Sequence, residues 1–125
     1  MPIPNTEPEH QTAIAGFVST HGPEHALTLS ARNNLANFLF SSGKHAEAEK
    51  EHRAVFYMRE KILGSEDQAT LSSAYNLAAS LWELGRDDEA LLFGNISLAG
   101  RIKILGEDHS HTKAALRFVE AIEAM

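Results

Sequence analysis

The chain has 125 residues, 43% of them apolar, a formal net charge of −6 and no cysteine. That length suits one compact domain, the lack of cysteine excludes disulfides and thiolate metal sites and fits the cytoplasm, and the acidic balance argues against a nucleic-acid partner, whose phosphates require a basic surface. No run approaches the roughly 18 apolar residues of a bilayer span, so no membrane segment is expected.

The first eight residues, "MPIPNTEP", hold three prolines and lack the basic and apolar regions of a secretory leader. Residues 1–8 are therefore expected to form an extended arm. A helix is predicted over 9–20. "EHQTAIAGFVSTHG" (Glu9–Gly22) stands 42 residues before "EHRAVFYMREKILG" (Glu51–Gly64), with Glu9, His10 and Gly22 matching Glu51, His52 and Gly64. It reads as the second helix of a truncated leading unit; the alternative is an unrelated helix that caps the stack.

Two full units follow, 21–62 and 63–104. Aligned without gaps they share 15 of 42 residues, where composition alone gives about two or three. A half unit, 105–125, keeps mainly Leu105, Gly106, Thr112 and Ala121. Each unit reads as helix, turn, helix. In the second, Asp67 is placed to cap a helix that Gly85 ends. Leu71, Ala74, Leu77, Ala78 and Leu81 recur at helical spacing along it. The following helix, "DDEALLFGNISLAGRIKIL", begins with acids and ends near Arg101 and Lys103, which suits its dipole. Gly43, Gly64 and Gly106 punctuate the scheme in the same way. No segment alternates like a strand, so the chain is predicted to be all-α, one domain over 9–125. Paired helices of this length bury their apolar faces only by stacking. Ala36, Ala48, Ala78 and Ala90, recurring with the period, are expected to allow close helix approach. The charges fall in short mixed clusters, the pattern of a solvated helical surface.

"NNLANFLFSSGKHAEAEKEHRAVFYMREKILG" resembles the tetratricopeptide repeats of the kinesin light chain type. The matching residues are Asn34-Leu35-Ala36, Gly43-Lys44, Glu47-Ala48 and Leu63-Gly64. Asn76-Leu77-Ala78, Gly85-Arg86, Glu89-Ala90 and Leu105-Gly106 follow in the second copy. The resemblance spans about His21 to Met125 and implies a right-handed superhelical stack of antiparallel helix pairs. The chain departs from the pattern in three places. Ala26, Gln68 and Ser110 replace the junction proline, which helix starts should survive. Gly94 and Gly100 lie inside a helix, each costing about 1 kcal/mol relative to Ala. Gly94 takes the place of His52, so either another backbone packs close or the helix is locally weak. Arg117-Phe118-Val119 replaces the Asn-Leu pattern, as befits a capping helix.

The resemblance also implies a concave groove lined by the first helix of each pair. Its residues here are Asn33, Asn34, Asn37 and Ser41, then Tyr75, Asn76, Ala79 and Glu83, then Arg117 and Phe118. Asparagine both donates and accepts, which suits an extended peptide's amides; the competing role is bonding within the stack. The seven histidines, "EDHSH" included, supply no third metal ligand at a convincing spacing, and His109 falls where the family uses His for capping. "SSGKH" lacks the rest of a phosphate loop. No cofactor, metal or catalytic group is expected, and the chain is read as non-enzymatic.

Leu91, Gly94, Leu98 and Gly100, with Ile102 and Leu105, form a further apolar and small-residue stripe that favours a homodimer if the cap leaves it uncovered. The expected function is a protein–protein interaction module that binds a partner's peptide or helix. Two alternatives stand beside it: a structural homo-oligomer, and a regulatory repeat segment of a larger signalling protein.

Overall fold

A computed structural model describes residues 3–125. Six helices account for almost all of it: α1 (Glu7–His21), α2 (Ala26–Ser41), α3 (His45–Leu63), α4 (Gln68–Glu83), α5 (Asp87–Leu105) and α6 (Ser110–Glu123). Each packs on the next, α1 on α2 through α5 on α6. Among the described residues there is no strand.

Local chemistry sets the helix ends. Thr6 Oγ1 accepts from Glu9 N and donates to the Glu9 carboxylate, an N-cap that starts α1 at Glu7. Glu7 and Pro8 thus belong to the helix and not to the arm, because proline is tolerated in a first turn, where its missing N–H has no partner to lose. The junction helices need no proline either. His25 Nδ1, Asp67 Oδ1 and His109 Nδ1 accept from the backbone N–H two residues on, at 3.1, 2.8 and 3.0 Å. Within each pair the turn is a Schellman motif. Gly85, at φ 74°, lets Arg86 N reach Leu81 O and Gly85 N reach Trp82 O, both at 2.9 Å; Gly43 and Lys44 repeat it on Phe40 and Leu39.

Ala36, Ala48, Ala78 and Ala90 are fully buried, so the helices meet at backbone distance there. The larger core cluster joins Leu77 and Leu81 of α4, Phe93 of α5, Phe56 of α3, and Phe118 and Ile122 of α6. A smaller one joins Leu35, Leu39 and Ala48, with Ile14 of α1 against it. That contact makes α1 an integral helix of the stack.

The glycines of α5 serve internal packing. A Cβ at Gly100 would lie 2.4 Å from Leu71 Cδ2, and one at Gly94 would lie 3.2 Å from the Phe118 ring and 3.3 Å from Val119. Side chains of α4 and α6, not another backbone, occupy the space that small residues leave. Packing within the chain thus accounts for the small residues at 94 and 100. Leu91 packs on the core cluster, and Leu98 is half-buried.

The two ends of the stack differ. Where α2 and α4 carry Leu29/Leu71, Ala36/Ala78 and Leu39/Leu81, all buried, α6 carries Lys113, Glu120 and Glu123, all exposed. Charged groups at these positions would lose hydration without a partner if another helix covered them. The outer face of α6 therefore differs in character from the faces that α2 and α4 bury.

Several charges that read as solvated surface are periodic links between units. Lys44–Glu7 and Arg86–Glu49, at 2.9 and 3.2 Å, recur 42 residues apart, as do Lys61–Glu24 and Lys103–Glu66. Every pair joins residues 37 apart in sequence. Exposed pairs of this kind add little stability; their regularity marks register between units.

Candidate functional site

Helices α2, α4 and α6 are the first helices of their units, and their contacts with one another follow one rule. Asn76 Nδ2 of α4 donates to Asn33 Oδ1 of α2 at 3.4 Å. One period later, the Tyr75 ring of α4 lies 5.4 Å from that of Phe118 on α6. In both, a side chain of one first helix meets the side chain 43 residues on. A ladder results that runs from Asn34 through the Asn33–Asn76 amide pair and the Tyr75–Phe118 aromatic pair to Arg117. Its two end residues, Asn34 and Arg117, are exposed.

The expected groove residues divide along this ladder. Asn34, Asn37, Ser41, Glu83 and Arg117 are exposed, whereas Asn33, Tyr75, Asn76 and Ala79 are half-buried. The Glu83 carboxylate stands 4.0 Å from His45 Nε2. Asn33 and Asn76 already spend one acceptor and one donor on each other, so bonding within the stack accounts for part of their chemistry. Each keeps further hydrogen-bonding capacity. Phe118 departs from expectation. Its ring is only 8% exposed, held edge-on to Trp82 at 5.4 Å and seated against Gly94. It supports the face from beneath and is not one of its contact residues.

Two features of this face escaped the sequence reading. Arg101 of α5 reaches under it: its guanidinium lies 5.1 Å from the Tyr75 ring centre, and Nη1 donates to His111 O at 3.1 Å. Burial pushes its pKa below the usual arginine value, yet the group keeps its charge. Arg59 does the same one period earlier, donating to Ser73 Oγ at 2.8 Å and Ala69 O at 3.4 Å. The identity of Arg59 and Arg101 in the alignment was the available signal. Trp82, half-buried beside Phe118, was foreshadowed by Phe40 at the equivalent position. Behind the face, His52 is buried with its Nδ1 lacking a hydrogen-bond partner. Burial first, and the Arg59 charge second, lower its pKa to about 4.

Away from this face, Arg53 bridges Glu49 and Glu89 at 3.1 and 3.0 Å, and Arg86 also contacts both acids. The hydrogen bonds from Arg86 and Arg53 hold the Glu89 carboxyl below its usual pKa. Glu89, one of the acids at the start of α5, thus has structural partners. His109 is engaged as the cap of α6. Among the described residues no three His, Cys, Asp or Glu side chains converge on one point. Among the same residues no helix is long and apolar enough to cross a membrane.

Paired helices stacked with a fixed period and presenting one continuous side-chain face define a helical-repeat scaffold. The tetratricopeptide repeat profile matches residues 27–103, and the chain belongs to that family, whose folds generally act as non-catalytic scaffolds for protein–protein interaction. No curated protein matches the chain. Among solved structures it is similar to a Podosopora anserina protein described as a candidate kinesin light chain with nearly identical TPR-like repeats. A form of that same protein carrying a single substitution is equally similar. Each superposes with a TM-score of 0.87 at 23% identity, covering 93% of this chain. The present chain spans about half, 55%, of those chains. The likeness establishes a fold of the kinesin light chain repeat type.

Proposed function

We propose that the chain is a non-enzymatic interaction module that binds a peptide or helix of a partner protein along the face shared by α2, α4 and α6. The ladder of side chains carries this reading. Exposed Asn34, Asn37 and Arg117 border half-buried Asn33, Asn76 and Tyr75, which puts amide donors and acceptors in line with an aromatic surface and a terminal cation. An extended peptide presents backbone amides every 3.3 Å or so, and asparagine side chains pair with either polarity of that backbone. Arg117 suits a carboxylate at one end of the ligand. The face is short, so a single peptide binds with modest affinity and specificity comes from the order of polar and aromatic contacts.

Selection from a displayed random-peptide library, followed by fluorescence anisotropy on the selected peptides, tests the proposal. The triple variant Asn34→Ala/Asn37→Ala/Arg117→Ala removes exposed groups that support no core contact. It is expected to weaken binding by about tenfold or more, since each lost hydrogen bond is worth about 0.5–1.5 kcal/mol, with an unchanged circular dichroism spectrum and melting curve. Selected peptides that bind wild type and variant equally would place the binding surface elsewhere.

A further inference from the structure

The outer side of α5 breaks the pattern that the repeat sets. Asp88, Leu92, Ile96, Ala99 and Lys103 recur at spacings of three and four, so they share one side of the helix. Asp88, Leu92, Ala99 and Lys103 are exposed, Leu92 to 56%, and Ile96 is half-buried. One period earlier the same side of α3 holds Ala46, Lys50, Ala54, Tyr57 and Lys61. Burial there matches position for position, with Ala54 half-buried and the other four exposed. Yet α3 has neighbours on both flanks: Lys44 at its start bonds to Glu7 of α1, and Arg53 bonds to Glu89 of α5. The exposure of this side therefore does not depend on where the stack begins or ends. What changes between the units is the chemistry. The cation Lys50 gives way to Leu92, Ala54 to Ile96, and Ala46 to Asp88.

We propose that this side of α5 docks on the same side of α5 in a second copy of the chain, the two helices antiparallel about a two-fold axis. Charge complementarity selects that occupant. With the axis between Asn95 and Ile96, Asp88 of one copy faces Lys103 of the other, and the same pair recurs at the opposite end of the contact. Each charge lies about 11 Å from the axis, at 1.5 Å per residue. Between the two ion pairs Leu92 faces Ala99, large against small. Antiparallel helices also bring each acidic first turn beside the other helix's C-terminal end, where cations are favoured. The same operation on α3 would set Ala46 against Lys61 and Lys50 against Tyr57. No opposite charges meet there, so the self-complementarity belongs to α5 alone of these two helices. Lys103 already contacts Glu66 and is 68% exposed; an ammonium has three donors and can serve a second carboxylate.

Gly94 and Gly100 of the same helix face into the chain, toward Phe118 and Leu71, and take no part in this contact. One helix against one helix is a small interface beside the roughly 800 Å² per partner of a stable complex. The dimer is accordingly weak, with a dissociation constant on the order of 100 μM. The residues concerned lie on a second helix of the repeat, so the inference goes beyond the face shared by α2, α4 and α6 and does not depend on it.

Sedimentation equilibrium of the intact 125-residue chain, from about tenfold below to about tenfold above that constant, tests the proposal. The weight-average mass is expected to climb from 13.7 kDa toward twice that value. Leu92→Lys, which installs the residue that α3 carries at this position, should weaken association about tenfold or more. Asp88→Lys and Lys103→Glu should each weaken it about threefold or more, since each sets like charges together at both ends. An equimolar mixture of those two variants should recover association, because in the mixed pair both contacts again join opposite charges. Asp108→Lys, the same change of charge outside this side of α5, should leave association unchanged. Melting curves at the lowest concentration confirm that every variant remains folded. A wild type that stays monomeric throughout, or a dimer indifferent to Leu92→Lys, overturns the proposal. A mixture no more associated than its separate components would overturn the antiparallel contact, and the proposal with it.

Discussion

Gly100→Ala is the most discriminating single substitution in this chain, because helix propensity and packing predict opposite signs. In a solvated helix, replacing Gly by Ala stabilises by about 1 kcal/mol. At Gly100 the new Cβ would lie 2.4 and 2.8 Å from the two terminal methyl carbons of Leu71 and 3.2 Å from its Cγ. Leu71 is only 1% exposed, so its side chain cannot swing out into solvent. Nor can the helices part easily, since Ser97 Oγ donates to Leu71 O at 3.0 Å in a buried bond one turn away. Overpacking of this kind costs about 1–3 kcal/mol, and this overlap falls at the upper end. The expected net effect is a loss of about 1–2 kcal/mol, lowering the melting temperature by about 3–8 °C for a chain of this length. Urea unfolding followed by circular dichroism reads it directly. Leu71→Ala alone should cost about 2–5 kcal/mol. In that background Gly100→Ala should become neutral or stabilising, so the double-mutant cycle carries about 2 kcal/mol of favourable coupling. Gly16→Ala is the control: its Cβ meets nothing within 4 Å, and it should stabilise by about 0.5–1 kcal/mol. Additive effects at Gly100 and Leu71, or a stabilised Gly100→Ala, would refute the packing argument.

His52 predicts the acid limb of stability. Its folded pKa of about 4 lies below the ordinary 6.5, so the folded state excludes a proton that the unfolded chain accepts. The contribution is intact above about pH 6.5 and declines as pH falls toward 4; by about pH 4.5 the loss amounts to about 2–3 kcal/mol. His52→Gln should reduce the stability difference between about pH 7 and pH 4.5 by that amount, and an unchanged difference would assign the acid limb to the carboxylates. The cap is expected to respond as a fitted pair. Phe118→Ala should cost about 3–5 kcal/mol by emptying the space beside Tyr75 and Trp82. Gly94→His should destabilise strongly alone and less so with Phe118→Asn, which together restore the combination found at His52 and Asn76; equal cost in both backgrounds would show that the ring and the glycine are not coupled.

Much of this architecture is readable without coordinates, because a repeat states its own rules twice. Ala36 and Ala78, or Gly43 and Gly85, sit 42 apart since every unit meets its neighbour through the same backbone approach and turns through the same left-handed position. The helix limits at Asp67, Gly85 and Leu105 follow from capping and dipole chemistry that acts over a few residues. The start of α1 departs from the expected arm although its signal is equally local: Thr6 caps the first turn and bonds to Glu9, and a proline in that turn does not oppose the helix.

Contacts across units were not legible, since they join residues that no local pattern associates. Lys44 and Glu7, or Arg86 and Glu49, look like ordinary surface charges until the stack sets them side by side. The tertiary structure also decided which groove candidates are free to bind. Asn34 and Asn76 occupy equivalent positions in sequence, yet one is exposed and the other bonded to Asn33. The reason is position in the stack: among the described helices α4 has a first helix packed before it and α2 has none. Phe118 turned inward for the complementary reason. Gly94 vacates the volume that an imidazole fills one unit earlier, and an aromatic ring is stabilised by filling it. Sequence determined the unit and its number; packing at the two ends determined which surfaces remain available.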